Sequence, residues 1–304
     1  MEIYKIMVLV AVIALASGCT LPGETGTAVS TKGIVINSLS FNPSQLEGMD
    51  EGVLALEIQN LGSVTARDVK AYIYGMDTSN AWTVVSDQGT IDYDFGELNA
   101  PDVVNNIPSF PATATWTFTP TSPAPEGVPL EYNPAVRVCY NYNATATAKF
   151  TVISKEELKQ ERNRGSLTYT DVSTRNSGGP ISIDITSRQP IVVSSTQTAK
   201  TLAVNVKVTN NDLTTGVVYL PTADCMKLGS GEFNRVEVTV KIPSIGETHT
   251  GTILLSDGKT GSKTFTFSNI PNDVVKQDMD IIFKTTYGYS VDASTRFMQI
   301  EDSL

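Results

Sequence analysis

Three cysteines, one histidine and a few paired carboxylates are the side chains of this 304-residue sequence whose chemistry could reach beyond packing. Cys139 and Cys225 stand 86 residues apart and form a candidate disulfide. Closing a loop of that length contributes about 4–5 kcal/mol in the chain-entropy account. Two separate thiols are the alternative, because the bond needs a Cα separation that sequence spacing does not give. On an alternating strand Cys139 shares a face with Arg137 and Asn141, while Val136, Val138 and Tyr140 take the other, so the thiol lies on the more polar side. Asp92 with Asp94, and Asp278 with Asp280, each place two carboxylates on one strand face. Such a pair is half a calcium site at most; the other reading is solvated charge that keeps a sheet edge from pairing. His249, in Gly246-Glu-Thr-His-Thr-Gly251, has no cysteine or second histidine beside it and reads as an exposed loop residue. No metal and no cofactor are expected.

Ser256-Asp257-Gly258-Lys259-Thr260-Gly261 contains both Ser-x-x-Lys and Lys-Thr-Gly, two motifs of penicillin-recognising enzymes. In those enzymes the motifs face each other from different elements; here they share Lys259 and cannot. Asp-Gly between Leu254-Leu255 and Phe265-Thr-Phe267 is instead a hairpin-turn signal. With no metalloprotease, nucleophile-elbow or phosphate-loop motif present, no catalytic residue is expected and the chain reads as a non-enzyme. Asn143-Ala144-Thr145 is a glycosylation sequon, expected on a hairpin tip after the strand carrying Tyr140 and Tyr142. Trp82, Tyr93 and Phe95 fall in a loop-rich stretch and are candidate contact residues for a protein or glycan. Aromatic plugs of a sandwich end are the other reading of these three.

The elements that must position these residues have a period of two. Leu54, Leu56 and Ile58 take one face of Val53–Asn60, and Val69–Tyr74, Thr113–Thr119 and Ala135–Tyr142 alternate likewise, with Pro, Gly, Asn and Asp between them. The plan then repeats. Leu202–Asn210 matches the strand ending at Asn60. Tyr140, Tyr142, Lys149, Phe150 and Ile153 correspond without a gap to Tyr287, Tyr289, Arg296, Phe297 and Ile300, an offset of 147 residues. One helix is expected between the copies: Ser154 and Glu157 form a capping box, and Gly165 follows as a C-cap. It is either a stiff spacer that sets the angle between the copies or a solvated helix packed on the end of one.

Residues 1–19, MEIYKIMVLVAVIALASGC, carry Lys5, an unbroken apolar run of 11 residues from Ile6 to Ala16, and then Ser17-Gly18-Cys19. That run is too short to span a bilayer and reads as the core of a signal peptide. Small residues before a cysteine resemble the lipobox of secreted lipoproteins, which implies lipidation of Cys19 as the first residue of the mature chain. Ala16 stands where that family most often has Leu. An ordinary secretory signal with Cys19 as a bystander, or a pilin-type signal, are the alternatives. Thr20–Gly33 is rich in Gly, Thr, Ser and Pro and reads as a flexible tether. Phe297–Leu304 is polar, so no C-terminal anchor is expected. Leu54-Ala-Leu-Glu-Ile-Gln-Asn-Leu-Gly62, followed by Thr65-Ala-Arg-Asp-Val69, resembles the cell-adhesion-related domain, an immunoglobulin-like module of archaeal and bacterial surface proteins. The second copy departs from that pattern at Asn210-Asn211-Asp212.

Composition bounds the rest. With 22 Lys+Arg against 32 Asp+Glu the net charge is -10, which excludes nucleic acid as an expected partner. Charged residues are only 18%, while 40% of the chain is hydrophobic, which suits β-rich cores rather than long charged helices. The expected fold is all-β: a signal peptide (1–18), a tether (19–33), an immunoglobulin-like β-sandwich (34–153), a short charged helical connector and linker (154–178) and a second sandwich (179–304). The expected role is that of a lipid-anchored, extracytoplasmic cell-surface protein. It would contact membrane lipid through Cys19 and bind or present an envelope protein or surface glycan. The alternative is an accessory subunit of a membrane-anchored envelope complex for secretion, filament assembly or transport.

Overall fold

The computed structural model describes residues 30–195, 200–212, 216–271 and 274–301. The signal segment, Cys19 and most of the tether lie outside them. The first copy holds β1 (Ile34–Asn42), β2 (Gln45–Glu47), β3 (Gly52–Asn60), β4 (Ala66–Tyr74) and β5 (Trp82–Ser86). It continues with β6 (Tyr93–Leu98), β7 (Ala112–Pro120), β8 (Leu130–Tyr132) and β9 (Ala135–Ile153), and then α1 (Lys155–Arg164). The second holds β10 (Thr174–Asn176), β11 (Ile181–Ile185), β12 (Ile191–Val192), β13 (Ser194–Ser195), β14 (Lys200–Asn210) and β15 (Gly216–Tyr219). It ends with β16 (Arg235–Ile242), β17 (Glu247–Leu254), β18 (Thr260–Phe267), β19 (Lys276–Ser294) and β20 (Phe297–Ile300). The protein is all-β, two immunoglobulin-like sandwiches in tandem with a short charged helix between them.

Alternation in sequence becomes one buried face per strand. The sheet β1-β3-β7-β5 turns Leu54, Leu56 and Ile58 onto Val136 and Val138, which belong to a larger sheet ordered β17-β16-β19-β9-β4-β6. In the second copy β11, β14 and β18 turn Val204, Val206 and Val208 onto Val236, Val238 and Val240 of that same sheet. The two cores are one continuous cluster. The reason is the central pair: β9 and β19 run antiparallel along 19 residues, from Ala135 opposite Ser294 to Ile153 opposite Lys276. The offset of 147 also relates Asn141 to Gly288, which are cross-strand partners. A pseudo-two-fold axis therefore passes through that pair.

Each copy sends the end of its last strand into the other. The second half of β9 is flanked by β10 and β12, which belong to the second copy. Beyond β19, β20 sits between β2 and β8 of the first copy. There Phe297 stacks on Phe41 at 3.8 Å and meets the edge of Trp82 at 5.3 Å. At the axis Tyr140, Tyr142, Tyr287 and Tyr289 close a ring of four buried side chains, with successive centroids 5.8, 6.1, 6.3 and 5.7 Å apart. Gly62 and Gly216 make room for it: a Cβ at either would overlap the hydroxyl of Tyr142 or Tyr289. Burial raises the pKa of all four phenols, Tyr142 to about 12.

The helix lies where its capping box places it. The Ser154 hydroxyl accepts from the Glu157 N–H at 3.2 Å, and Gly165 closes the helix at φ +70°. Glu161 is buried and takes the Lys276 ammonium at 2.7 Å, which fastens the helix to the start of β19. Of the two readings of this segment, packing on the end of the second copy is the one observed. The angle between the copies is set by the β9–β19 ladder. Asp257 and Gly258, at φ +51° and +70°, form the expected turn. The strands it joins part into different sheets, so it is a corner between layers and not a simple hairpin.

Candidate binding cleft beside the disulfide

Strand β9 turns Tyr140 into the core, and alternation puts Cys139 on the outer face of the shared sheet. There it is bonded to Cys225, with Cα atoms 6.4 Å apart. Cys225 belongs to residues 220–234, which run from β15 to β16 through a series of tight turns. Cys139, Cys225 and Tyr219 make a small buried cluster under Tyr72, Met226 and Leu228, separate from the main core. Tyr219 lies on the backbone of Gly288, where a Cβ would overlap its ring.

An ion pair reinforces the covalent clamp. Arg137 faces Asp292 directly across β9–β19 and donates from Nε and Nη2 to its two carboxylate oxygens, both at 2.8 Å. Its Nη1 donates to the carbonyl of Cys225 at 3.2 Å, and the guanidinium lies 5.5 Å from the centre of the Tyr74 ring. The hydrogen bonds to Asp292 hold the Arg137 pKa above its ordinary value. One arginine thus ties β9, β19 and the 220–234 segment together.

Between that segment and β4 is a cleft of about 620 Å³, with the disulfide in its wall. Asp68, Lys70 and Tyr72 face it from β4, Asn141 from β9, and Asp224 and Lys227 from the segment. β4 is irregular here: its register with β9 shifts between Arg67 and Lys70, and Asp68 adopts φ +52°. That turns the Asp68 carboxylate onto the Asn141 amide, which donates to it at 2.9 Å. Burial pushes the Tyr72 phenol up, and Asp92 and Asp224 push it further against the opposing pull of Lys70, so it stays a neutral donor. The cleft offers carboxylates, an amide, ammonium groups and a phenol without a dominant basic face.

Several residues singled out from the sequence stand elsewhere. Trp82 is enclosed in the first core against Phe118, Tyr132 and Phe297, so its reading as an exposed contact residue is corrected: β20 covers it from the other copy. Tyr93 and Phe95 are half-buried on β6, 4.6 Å apart, with Tyr93 against Trp116. Asn143 is exposed but sits mid-strand opposite Thr286, not on a hairpin tip, because β9 continues into the second copy. His249 is on strand β17, not in a loop, with Nε2 2.8 Å from Glu247 Oε1 and its ring edge-on to Phe267. Asp94 pairs with Lys70 and Asp278 with Lys149, at 3.7 and 3.2 Å. Among the described residues no three His, Cys, Asp or Glu side chains come together as a metal site. Cys19 lies outside the described residues. Sequence reading missed Lys70, Tyr72, Asp224 and Lys227, which only the folded 220–234 segment brings beside Asn141.

The architecture defines an all-β class of protein, paired immunoglobulin-like sandwiches that share a sheet. No family model matches the sequence, and no curated protein does. Among solved structures it is similar to the secreted serine protease VesC from Vibrio cholerae, at 8% identity and a TM-score of 0.19. That match covers 85% of this chain and 51% of the protease, so the chain spans about half the protease's length. It is similar to the CupB6 tip adhesin from Pseudomonas aeruginosa, at 8% identity and a TM-score of 0.18, over 86% of this chain and 94% of that one. It is also similar to the collagen adhesin (CNA) from S. aureus, at 10% identity and a TM-score of 0.14, over 90% of each. Likeness of that degree carries no argument about activity. The expectation of a non-enzyme is withdrawn all the same: a protease stands among these structures, the absence of a known motif does not exclude catalysis, and no catalytic assignment replaces it.

Proposed function

We propose that this protein is held on the extracytoplasmic face of a membrane through lipid on Cys19 and binds a hydroxyl-rich envelope component, a surface glycan, in the cleft beside Cys139–Cys225. The observation that carries the reading is the clamp. A disulfide and a bidentate Arg137–Asp292 pair fix residues 220–234 over the outer sheet face, where packing of the main core does not require them. A persistent disulfide suits an oxidising, extracytoplasmic compartment. Mixed carboxylate, amide and phenol groups around one cleft suit sugar hydroxyls, which both donate and accept. The lipobox resemblance of Ser17-Gly18-Cys19 and the Thr20–Gly33 tether supply the anchor and the reach.

The test uses protein purified from its own membranes. Its intact mass is expected to begin at Cys19 and to exceed the sequence mass by lipid; an unmodified N-terminus overturns the anchor. Binding to isolated envelope polysaccharide is expected to fall at least tenfold in Asp224→Asn with Asn141→Ala, an effect of about 1.4 kcal/mol or more. Equal binding by the variant and the parent overturns the cleft. A stoichiometric protein partner that co-purifies in mild detergent, without polysaccharide binding, would favour the envelope-complex alternative.

A further inference from the structure

The loop between β6 and β7 has no place in the cleft, yet it exposes more apolar side chain than any comparable stretch among the described residues. Val104 is 94% exposed, Phe110 81%, Val103 53% and Ile107 47%. The loop is built rather than loose. Asp102 and Ile107 exchange both backbone hydrogen bonds, at 2.8 and 2.9 Å. The Asp102 carboxylate accepts from the N–H of Val104 and of Asn105, both at 3.1 Å, and from the Asn105 amide at 2.6 Å. Pro101, Pro108 and Pro111 stiffen it further. Asp102 is the one ionisable side chain between Glu97 and Glu126, in a chain that is 18% charged, and its oxygens are occupied within the loop. A rigid apolar finger whose one carboxylate is tied into its own turn is costly in water and needs a covering.

Its position says what covers it. The base of the finger is tied to β3, where the Gln59 side chain donates to the Ser109 carbonyl at 2.7 Å. Gln59 is also the cross-strand partner of Val35, one residue into β1. The finger therefore rises from the same end of the first sandwich at which the chain arrives from its N-terminal segment. From Cys19 to Ile34 the chain can span at most about 50 Å.

We propose that residues 102–110 are an interfacial membrane finger that inserts Val103, Val104, Ile107 and Phe110 into the bilayer carrying the N-terminal anchor. This rests on the anchored reading above. The finger gives the body a second contact with the lipid and so fixes which way the cleft faces, whereas a tether alone leaves the orientation free.

The test exploits the burial of both native tryptophans, Trp82 and Trp116. The full chain carrying Val104→Trp is placed in phosphatidylcholine vesicles with or without brominated acyl chains, and flotation and tryptophan emission are read together. The expected result is co-flotation, a blue shift of the added emission, and its loss in brominated vesicles. Phe110→Ser in the same background is expected to reduce that loss. Co-flotation with added emission that bromine leaves untouched, and that aqueous acrylamide quenches, overturns the finger and leaves the anchor standing. Failure to float overturns both.

Discussion

The two faces of the β9–β19 pair obey different rules. On the inner face the repeat is kept: Tyr140 and Tyr142 recur as Tyr287 and Tyr289, and all four close around the axis. The supports recur as well. Asn60 and Asn210 are both buried, and each accepts a backbone N–H from two residues on, at 3.0 and 3.2 Å. On the outer face the repeat is broken. The offset that maps tyrosine onto tyrosine maps Cys139 onto Thr286, Arg137 onto Lys284 and Asn141 onto Gly288. The inner face must fill one shared core and so tolerates little change. Nothing in the packing requires the outer face to be symmetric, and there the second copy has placed residues 220–234 over the first. Symmetry marks the shared core; its loss coincides with the candidate cleft.

The largest effect should come from emptying the inner face. Tyr140→Ala and Tyr287→Ala are each expected to lose about 3–5 kcal/mol in denaturant unfolding, and by similar amounts, as large-to-small changes in a core do. A wide gap between them would break the claim that the axis is symmetric. Removing the outer clamp with Cys139→Ser and Cys225→Ser should cost about 2–5 kcal/mol. In limited proteolysis the first cuts should then fall within residues 220–234, with β9 and β19 still protected; early cuts in β9 would show that the two faces are not separable.

Alkali should probe the inner face by itself. A phenol whose pKa is raised by folding favours the fold at any pH below its unfolded value of about 10. As pH rises through that value the unfolded chain ionises and the folded one does not, so stability falls. Tyr142, pushed up to about 12, contributes on the order of 2–3 kcal/mol to this loss. Phenolate absorbance should therefore show the four central tyrosines silent until the protein unfolds. The smallest effect should be the sharpest test of the axis. The Tyr140 hydroxyl accepts from the Ile34 N–H at 3.2 Å, while the buried Tyr287 hydroxyl lies toward the Ile181 amide without making a hydrogen bond. Tyr140→Phe should lose about 1 kcal/mol, whereas Tyr287→Phe should be neutral or slightly stabilising in thermal unfolding.

The inner face was legible in the sequence, and the outer face only where Cys139, Arg137 and Asn141 share one side of a strand, for a physical reason. Period-two alternation and a gapless recurrence of Tyr-x-Tyr are local or repeated signals, and they carry the strands, the copies and the capped helix. The exchange of strand ends is a long-range pairing, and no residue within Ala135–Ile153 announces that its second half belongs with β10 and β12. The errors over Trp82 and Asn143 share that origin: one is covered, and the other held mid-strand, by chain from the opposite copy. The cleft has the same character, since Asn141 and Asp224 meet only once residues 220–234 are folded across the sheet.

The exchange of ends also separates two properties that usually go together, the continuity of the chain and the integrity of the body. A cut in the polar stretch after α1, between Gly165 and Thr174, would leave two fragments. They would still be joined by the β9–β19 ladder, by β20 lodged between β2 and β8, and by the Cys139–Cys225 bond. A protease that nicks the protein there would release neither half. Neither half made alone would have a finished core. In this respect the molecule is an isologous dimer written on one chain, and its connector serves to deliver the second partner at the right concentration rather than to hold it afterwards.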